Sequence, residues 1–316
     1  MKKIIYCLVI SLIFGLLVAA EGSGDLEYGG FTLSTGDQKL YFTNPGYEMI
    51  HSSKNGVNYI RPEMSGVGSR SNPGEPHLPS TSTYYAVEPG ISYSIEVLIQ
   101  DSETIENVEI LPLDSWEPEP SNNFAKGSVY NSNALFPQEI GSVTAPIVFR
   151  DITMVQISIT PFQYNPVTKQ LIVIQDVEIE LIETGNIEMP FIPSKPSREF
   201  EKMYQSLVVN YSALNRDGME YQKPGILYVL PNNIGNLFST IEELMNWKKR
   251  VGYDVQYVSS SNIVNNKNNL KNYIEEAYET WDNPPVHVTL VGDAEGTYDI
   301  PTWTDSWSGY NGDGDQ

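Results

Sequence analysis

Alternation of apolar and polar positions dominates the first two thirds of the chain. Ile91, Tyr93, Ile95, Val97 and Ile99 share one parity, and Ser92, Ser94, Glu96 and Gln100 hold the other. That period of two is the mark of a half-buried strand. Val155, Ile157 and Ile159 repeat it against Gln156, Ser158 and Thr160. Asn165-Pro-Val-Thr168 reads as a turn into residues 171–174, after which Val177, Ile179 and Leu181 alternate with Asp176, Glu178 and Glu180. Shorter strand-like pieces lie at 39–43 and 57–61, with a proline-stiffened stretch, Gly74-Glu-Pro-His-Leu-Pro79, after them. Half-buried strands parted by turn signals predict an all-β antiparallel unit, sandwich or barrel-like.

The period changes near residue 198. Phe200, Met203, Tyr204 and Leu207 have helical spacing, predicting a helix over 198–208. Arg216, Asp217, Gly218 and Lys223-Pro224-Gly225 read as an exposed polar connection, and the domain boundary is placed there. Beyond it, Gly225-Ile-Leu-Tyr-Val-Leu230 predicts a buried strand. Leu237, Phe238, Ile241, Leu244 and Met245 predict an amphipathic helix with Lys248, Lys249 and Arg250 in its last turn and Gly252 as its stop. A strand at 254–258, a helix carrying Leu270, Tyr273, Ile274, Ala277, Tyr278 and Trp281, and a strand at 287–291 complete β-α-β-α-β. Right-handed crossovers make these strands parallel, a Rossmann-like sheet with an open side and an incomplete α/β unit. The expected organisation is therefore 1–20, 21–215, 216–224 and 225–316.

The amino terminus changes the cellular setting. Lys2 and Lys3, an apolar run over 4–18 and Ala19-Ala20 describe a secretory signal peptide cleaved after Ala20. The run is shorter than the roughly 20 residues a spanning helix needs, so no stable membrane span is expected. With 19 Lys and Arg against 40 Asp and Glu, the net charge of −21 repels nucleic acid and suits an extracellular protein. The single cysteine, Cys7, lies in the leader. No disulfide, thiol nucleophile or thiolate metal site is then expected in residues 21–316.

Candidate chemistry is sparse. No G-x-S-x-G, phosphate-binding G-K-[ST] or H-E-x-x-H element occurs. Of His51, His77 and His287, the last starts a strand expected to be buried and is read as structural. The segment 292–316 carries Asp293, Glu295, Asp299, Asp305, Asp313 and Asp315 without a lysine or arginine. Hard oxygen donors on glycine-rich loops suit Ca²⁺, and Asp293, Asp313 and Asp315 are its candidate ligands. The twelve-residue EF-hand pattern is absent.

Several stretches together resemble the gingipain family of secreted cysteine endopeptidases. They are Gly225-Ile-Leu-Tyr-Val-Leu230, Trp247-Lys-Lys-Arg-Val-Gly252, Tyr273-Ile-Glu-Glu-Ala-Tyr278, Val288-Thr-Leu-Val-Gly-Asp293 and Asp299-Ile-Pro301 with Thr304-Asp305. Upstream, Gly74-Glu-Pro-His-Leu-Pro79, Tyr85-Ala-Val-Glu-Pro-Gly90 and Pro161-Phe-Gln-Tyr-Asn-Pro166 resemble the family's pro-segment. The resemblance implies a zymogen: a signal peptide, a β-rich pro-domain that packs on its own catalytic domain, and the first subdomain of a caspase-like peptidase. It implies a catalytic His and Cys beyond residue 316, protein or peptide substrates, maturation after a basic residue with Arg216 as candidate, and bound calcium. A gingipain-like sortase of an export system and a non-catalytic calcium-dependent secreted binding protein are the alternatives.

Overall fold

The computed structural model describes residues 29–34, 39–54, 56–114, 125–190, 192, 195–307 and 310–313, the backbone alone for 304–307 and 310–313. The expected leader, Ala20 and Asp315 lie outside the described residues.

The alternating segments form two five-stranded antiparallel sheets. One joins β1 (Phe31–Leu33), β2 (Leu40–Thr43), β7 (Ile91–Ile105), β11 (Phe162–Asn165) and β12 (Gln170–Asn186). The other joins β5 (Gly68–Ser69), β6 (Pro79–Ala86), β8 (Gly141–Val143), β9 (Ile147–Phe149) and β10 (Ile152–Ile159). A separate hairpin pairs β3 (Glu48–Lys54) with β4 (Val57–Glu63). The pieces expected at 171–174 and 177–181 are one long strand, β12, whose pairing with β7 shifts register at Ile174/Asp176 and Asp176/Val177. That irregularity lets one strand bend without ending.

The apolar parity of both sheets meets in one core. Phe31, Phe42, Phe162, Tyr164, Val173, Val177 and Ile179 face Val155, Ile157 and Ile159, all essentially buried. The sheets approach closely at Gly141, where a Cβ would lie 2.6 Å from the Val97 side chain. The alternation predicted for β7 holds at Tyr93, Ile95 and Val97, which pack on the core, and fails at Ile99, which is exposed next to the register shift.

The predicted helix is α1 (Arg198–Leu207). It covers the outer face of the second sheet, where Tyr204 and Val208 pack with Ala86, Ile152 and Met154. The chain leaving it is stitched to β6: the Val209 N–H donates to the Tyr84 carbonyl, and the Asn210 side chain both donates to and accepts from the Ala86 backbone.

The third sheet is parallel, in the order β14 (Asp254–Val258), β13 (Gly225–Val229), β15 (His287–Leu290). Helix α2 (Leu237–Arg250) covers one face through Met245, Phe238 and Ile241. The short α3 (Ser261–Val264) and α4 (Lys267–Thr280) cover the other through Val264, Leu270, Tyr273 and Ala277. Asn266 caps α4 by accepting from the N–H groups of Asn268 and Asn269. Leu237 and Leu244, expected on the buried stripe of α2, are exposed. β15 likewise corrects the expectation of burial: all four of its residues are exposed at the sheet edge. A hairpin of β16 (Thr304–Trp307) and β17 (Tyr310–Asp313) follows. Among the described residues, no helix is long and apolar enough to cross a membrane.

Candidate functional site at the junction of the two units

Where the β-rich and α/β units meet, one tight turn supplies a contact to the α/β unit and a clasp within the β-rich unit. Strands β9 and β10 pair Phe149 with Ile152, so Arg150 and Asp151 form a two-residue hairpin loop, with Arg150 at φ +59°. Such loops favour residues in the left-handed region. The loop sends its neighbouring side chains to different partners.

Arg150 reaches the α/β unit. Its guanidinium lies 5.0 Å from the Phe200 ring of α1 and 5.4 Å from the Tyr278 ring of α4, and its Nη1 donates to the Pro285 carbonyl at 3.4 Å. Nε and Nη2 are buried without a hydrogen-bond acceptor. Burial pushes the Arg150 pKa down, against the favourable field of Tyr278, Tyr204 and Asp151. This cation is held by aromatic faces in place of a carboxylate.

Asp151 reaches Arg216. The guanidinium Nη2 donates to Asp151 Oδ2 at 2.7 Å and to Glu201 Oε1 at 2.6 Å, while Nε donates to Glu201 Oε1 at 2.9 Å. Both carboxylates have further support. The Tyr204 hydroxyl donates to Asp151 Oδ1 at 2.9 Å, and the Tyr211 hydroxyl donates to Glu201 Oε2. Burial works to raise the Glu201 carboxyl, but bonds from Arg216 and Tyr211 outweigh it and hold the group below its ordinary range. Burial likewise opposes the charge on Arg216, and the two carboxylates overcome it and raise its pKa. Burial and the Glu201 bond push Tyr211 up to about 12.

The sequence places Arg216 in an exposed connection, and the structure corrects that placement for its side chain, which is only 11% exposed. The surrounding backbone does match the expectation, since residues 217–220 are exposed. Asp151, Glu201, Tyr204 and Tyr211 had no sequence signal as a site. Glu201 and Tyr204 share a helical face, but Asp151 comes from a distant turn.

Further contacts close the junction. Glu199 of α1 lies 2.7 Å from His287 Nε2 at the start of β15. Its bond to Tyr253, with burial and the Glu199 charge, raises that phenol. Gln222 Nε2 donates to the Pro284 carbonyl, and Gly225 passes so close that a Cβ would sit 3.0 Å from the same oxygen. His287 is thus a half-exposed contact between the units, in place of the core histidine expected. His77 lines a small cavity with Arg61, Glu63 and Ser69, whose Oγ accepts from the Ser71 N–H.

Asp293 Oδ1 accepts from the Ala294 N–H at 2.8 Å, and the Asp293 backbone bridges Asp299. A Cβ at Gly292 would lie 2.3 Å from the Tyr298 carbonyl, so this loop closes only on a glycine. Asp313 is placed by its backbone in β17, opposite Thr304. Among the described residues, no three His, Cys, Asp or Glu side chains are gathered as a metal site.

Residues 39–216 match the C25 propeptide family (Propeptide_C25), and residues 220–314 match Peptidase family C25. This chain belongs to family C25, the gingipain family. The first match ends at Arg216 and the second begins at Glu220. Gingipain R2 of Porphyromonas gingivalis is 27% identical over 243 residues, covering 73% of this chain and 32% of that protein. Lys-gingipain of the same organism is 26% identical over 194 residues, covering 57% of this chain and 11% of its own length. This C25 chain thus spans about a third of the length of gingipain R2. Among solved structures, the complex of Porphyromonas gingivalis RgpB pro- and mature domains matches with a TM-score of 0.50 at 25% identity. The match covers 60% of this chain and 100% of that one.

Proposed function

We propose that this chain is the amino-terminal part of the precursor of a secreted, gingipain-like cysteine endopeptidase. Residues 1–20 are its signal peptide, 21–215 its pro-domain, 216–224 the connection cut after Arg216, and 225–316 the first part of a caspase-like catalytic domain. The observation that carries this reading is the junction. A pro-segment match ends at residue 216 and a peptidase match begins at residue 220, and side chains of the first, Arg150 and Glu199, seat on the second at Tyr278, Pro285 and His287. The pro-domain acts by packing on its own catalytic domain before maturation.

The reaction proposed for the whole protein is peptide-bond hydrolysis. A cysteine thiolate attacks the scissile carbonyl, a histidine carries the proton to the leaving amine, and backbone N–H groups hold the oxyanion. The one cysteine of the 316 residues lies in the leader, so the thiol belongs to sequence beyond residue 316. Without that thiol, residues 1–316 alone are inactive. A Ca²⁺ ion on the acidic loops, with Asp293, Asp313 and Asp315 as donors, is supported by their hard-oxygen chemistry. The described residues gather no ligand set, so no step is routed through it.

Amino-terminal sequencing of the mature secreted protein tests the arrangement. A first residue of Asp217 supports it. A mature protein that retains the β-rich unit on the same polypeptide contradicts a removable pro-domain.

A further inference from the structure

The Arg216–Asp217 peptide bond is displayed while its arginine side chain is held. Asp217, Gly218, Met219 and Glu220 are exposed. The Met219 N–H reaches back to the Arg216 carbonyl at 3.5 Å, and Gly218 sits at φ +77°, so the chain turns immediately after Arg216. An exposed turn of this kind is an ordinary site of proteolytic nicking. The guanidinium, however, is bound by two carboxylates from two different elements, the β9–β10 turn and α1. It also lies 5.6 Å from the face of Tyr204.

A protease that cuts after arginine must take that side chain into its own pocket and draw the flanking backbone into extended form. Both are opposed here. The pocket of such a protease would offer a carboxylate to the guanidinium, and Arg216 already has two, each braced by a tyrosine hydroxyl. Bidentate contact of this geometry is a property of arginine, and a lysine ammonium would not reproduce it. The neighbouring basic residue, Lys223, is followed by Pro224 and offers no substitute bond.

We propose that Asp151 and Glu201 guard the cleavage site at Arg216. The bond after it becomes cleavable by an arginine-directed protease only when the two carboxylates release the side chain. The role of the guard in maturation rests on the reading of Arg216 as the processing residue. The guard itself is a property of the folded β-rich unit. It makes the docking of α1 a condition of latency, because Glu201 leaves with α1 and Asp151 stays on the sheet. Cutting then follows a loosening of α1 and cannot precede it.

Trypsin serves as the arginine-directed probe, applied to the full chain at low enzyme ratio, with each cut followed by mass. Cleavage at Arg250, exposed at the end of α2, is the internal reference. The expected result is slow cleavage after Arg216 in the unaltered chain. In Asp151→Asn/Glu201→Gln that cut should quicken at least about tenfold relative to the reference, a ratio worth about 1.4 kcal/mol. Arg216→Lys, which keeps a tryptic residue and disturbs the unit least, should also cut faster than the parent. Circular dichroism and an unchanged Arg250 rate establish that the variants are folded. If the folded Asp151→Asn/Glu201→Gln and Arg216→Lys variants are both cut at the parent rate, the guard is overturned. Immediate cleavage after Arg216 in the parent overturns it too. The processing reading fails separately, when the mature protein begins elsewhere than at Asp217.

Discussion

Asp151 and Arg216 are 65 residues apart in the chain and 2.7 Å apart at their charged atoms. Both side chains are largely enclosed, and the Glu201 carboxylate shares the same guanidinium. The ion pair therefore fastens the last residues of the β-rich unit to a turn in its middle. It is a tertiary clasp that closes a long loop, and its loss should be felt by the whole unit.

Asp151→Ala leaves Arg216 enclosed with half its partners and leaves the Tyr204 hydroxyl only the Phe149 carbonyl as acceptor. Breaking a buried pair from one side costs about 3 kcal/mol. Urea denaturation should show that loss with an unchanged m-value. A loss below about 1 kcal/mol would place the pair among ordinary surface bridges. Glu220→Gln, at the solvated Lys195 pair, should leave the midpoint where it is.

Glu201 gives the unit an acid limb. Its folded pKa is depressed, so its contribution to stability is complete above the unfolded value, near 4.5, and is lost as pH falls through the folded value. Thermal midpoints measured from pH 7 downward should hold near neutrality and fall below pH 4.5. The fall should be shallower in Glu201→Gln, which has no proton to gain. Equal slopes in the two proteins would remove Glu201 as a source of the acid sensitivity.

How much of this was legible beforehand follows from the range of the interactions. The parity of Ile91 to Val97 and of Val155 to Ile159 reports local burial, and it located strands and core correctly. The stripe on α4 did the same through Leu270 and Ala277. Failures came where burial depends on a partner distant in sequence. Leu244 and the residues of β15 carry the composition of buried positions, yet nothing in the described chain covers them. Arg216 looked like a solvated linker charge because its partners lie 15 and 65 residues upstream. Arg150 gave no signal, because its partners Phe200, Tyr278 and Pro285 lie 50 or more residues downstream.

Arg150 should reveal itself by an inverted response. Its charge is enclosed with two nitrogens lacking acceptors, so an apolar replacement of similar reach removes a cost. Arg150→Met is expected to be neutral or stabilising by up to about 1 kcal/mol in urea denaturation. Tyr278→Leu, which removes an aromatic face, should cost about 1 kcal/mol in the parent and less in the Arg150→Met background. Additive effects would show that the two side chains do not interact.

Calcium at the acidic loops is testable without activity. Millimolar CaCl₂ should raise the thermal midpoint of the chain through preferential binding to the folded form. The rise should vanish in Asp313→Asn/Asp315→Asn and persist with equal ionic strength of NaCl as the control background. A midpoint indifferent to CaCl₂ removes calcium from the picture.

The central proposal is that a peptidase precursor begins in these residues, with its thiol in the sequence that continues past them. Casein hydrolysis compares the 316-residue chain with the protein expressed through the continuing reading frame, each with and without iodoacetamide. No hydrolysis is expected from the 316 residues, and the extended, matured protein should hydrolyse casein in a reaction that alkylation abolishes. Hydrolysis by the shorter chain, alkylation-insensitive hydrolysis by the longer one, or a stop codon directly after Gln316 would contradict it.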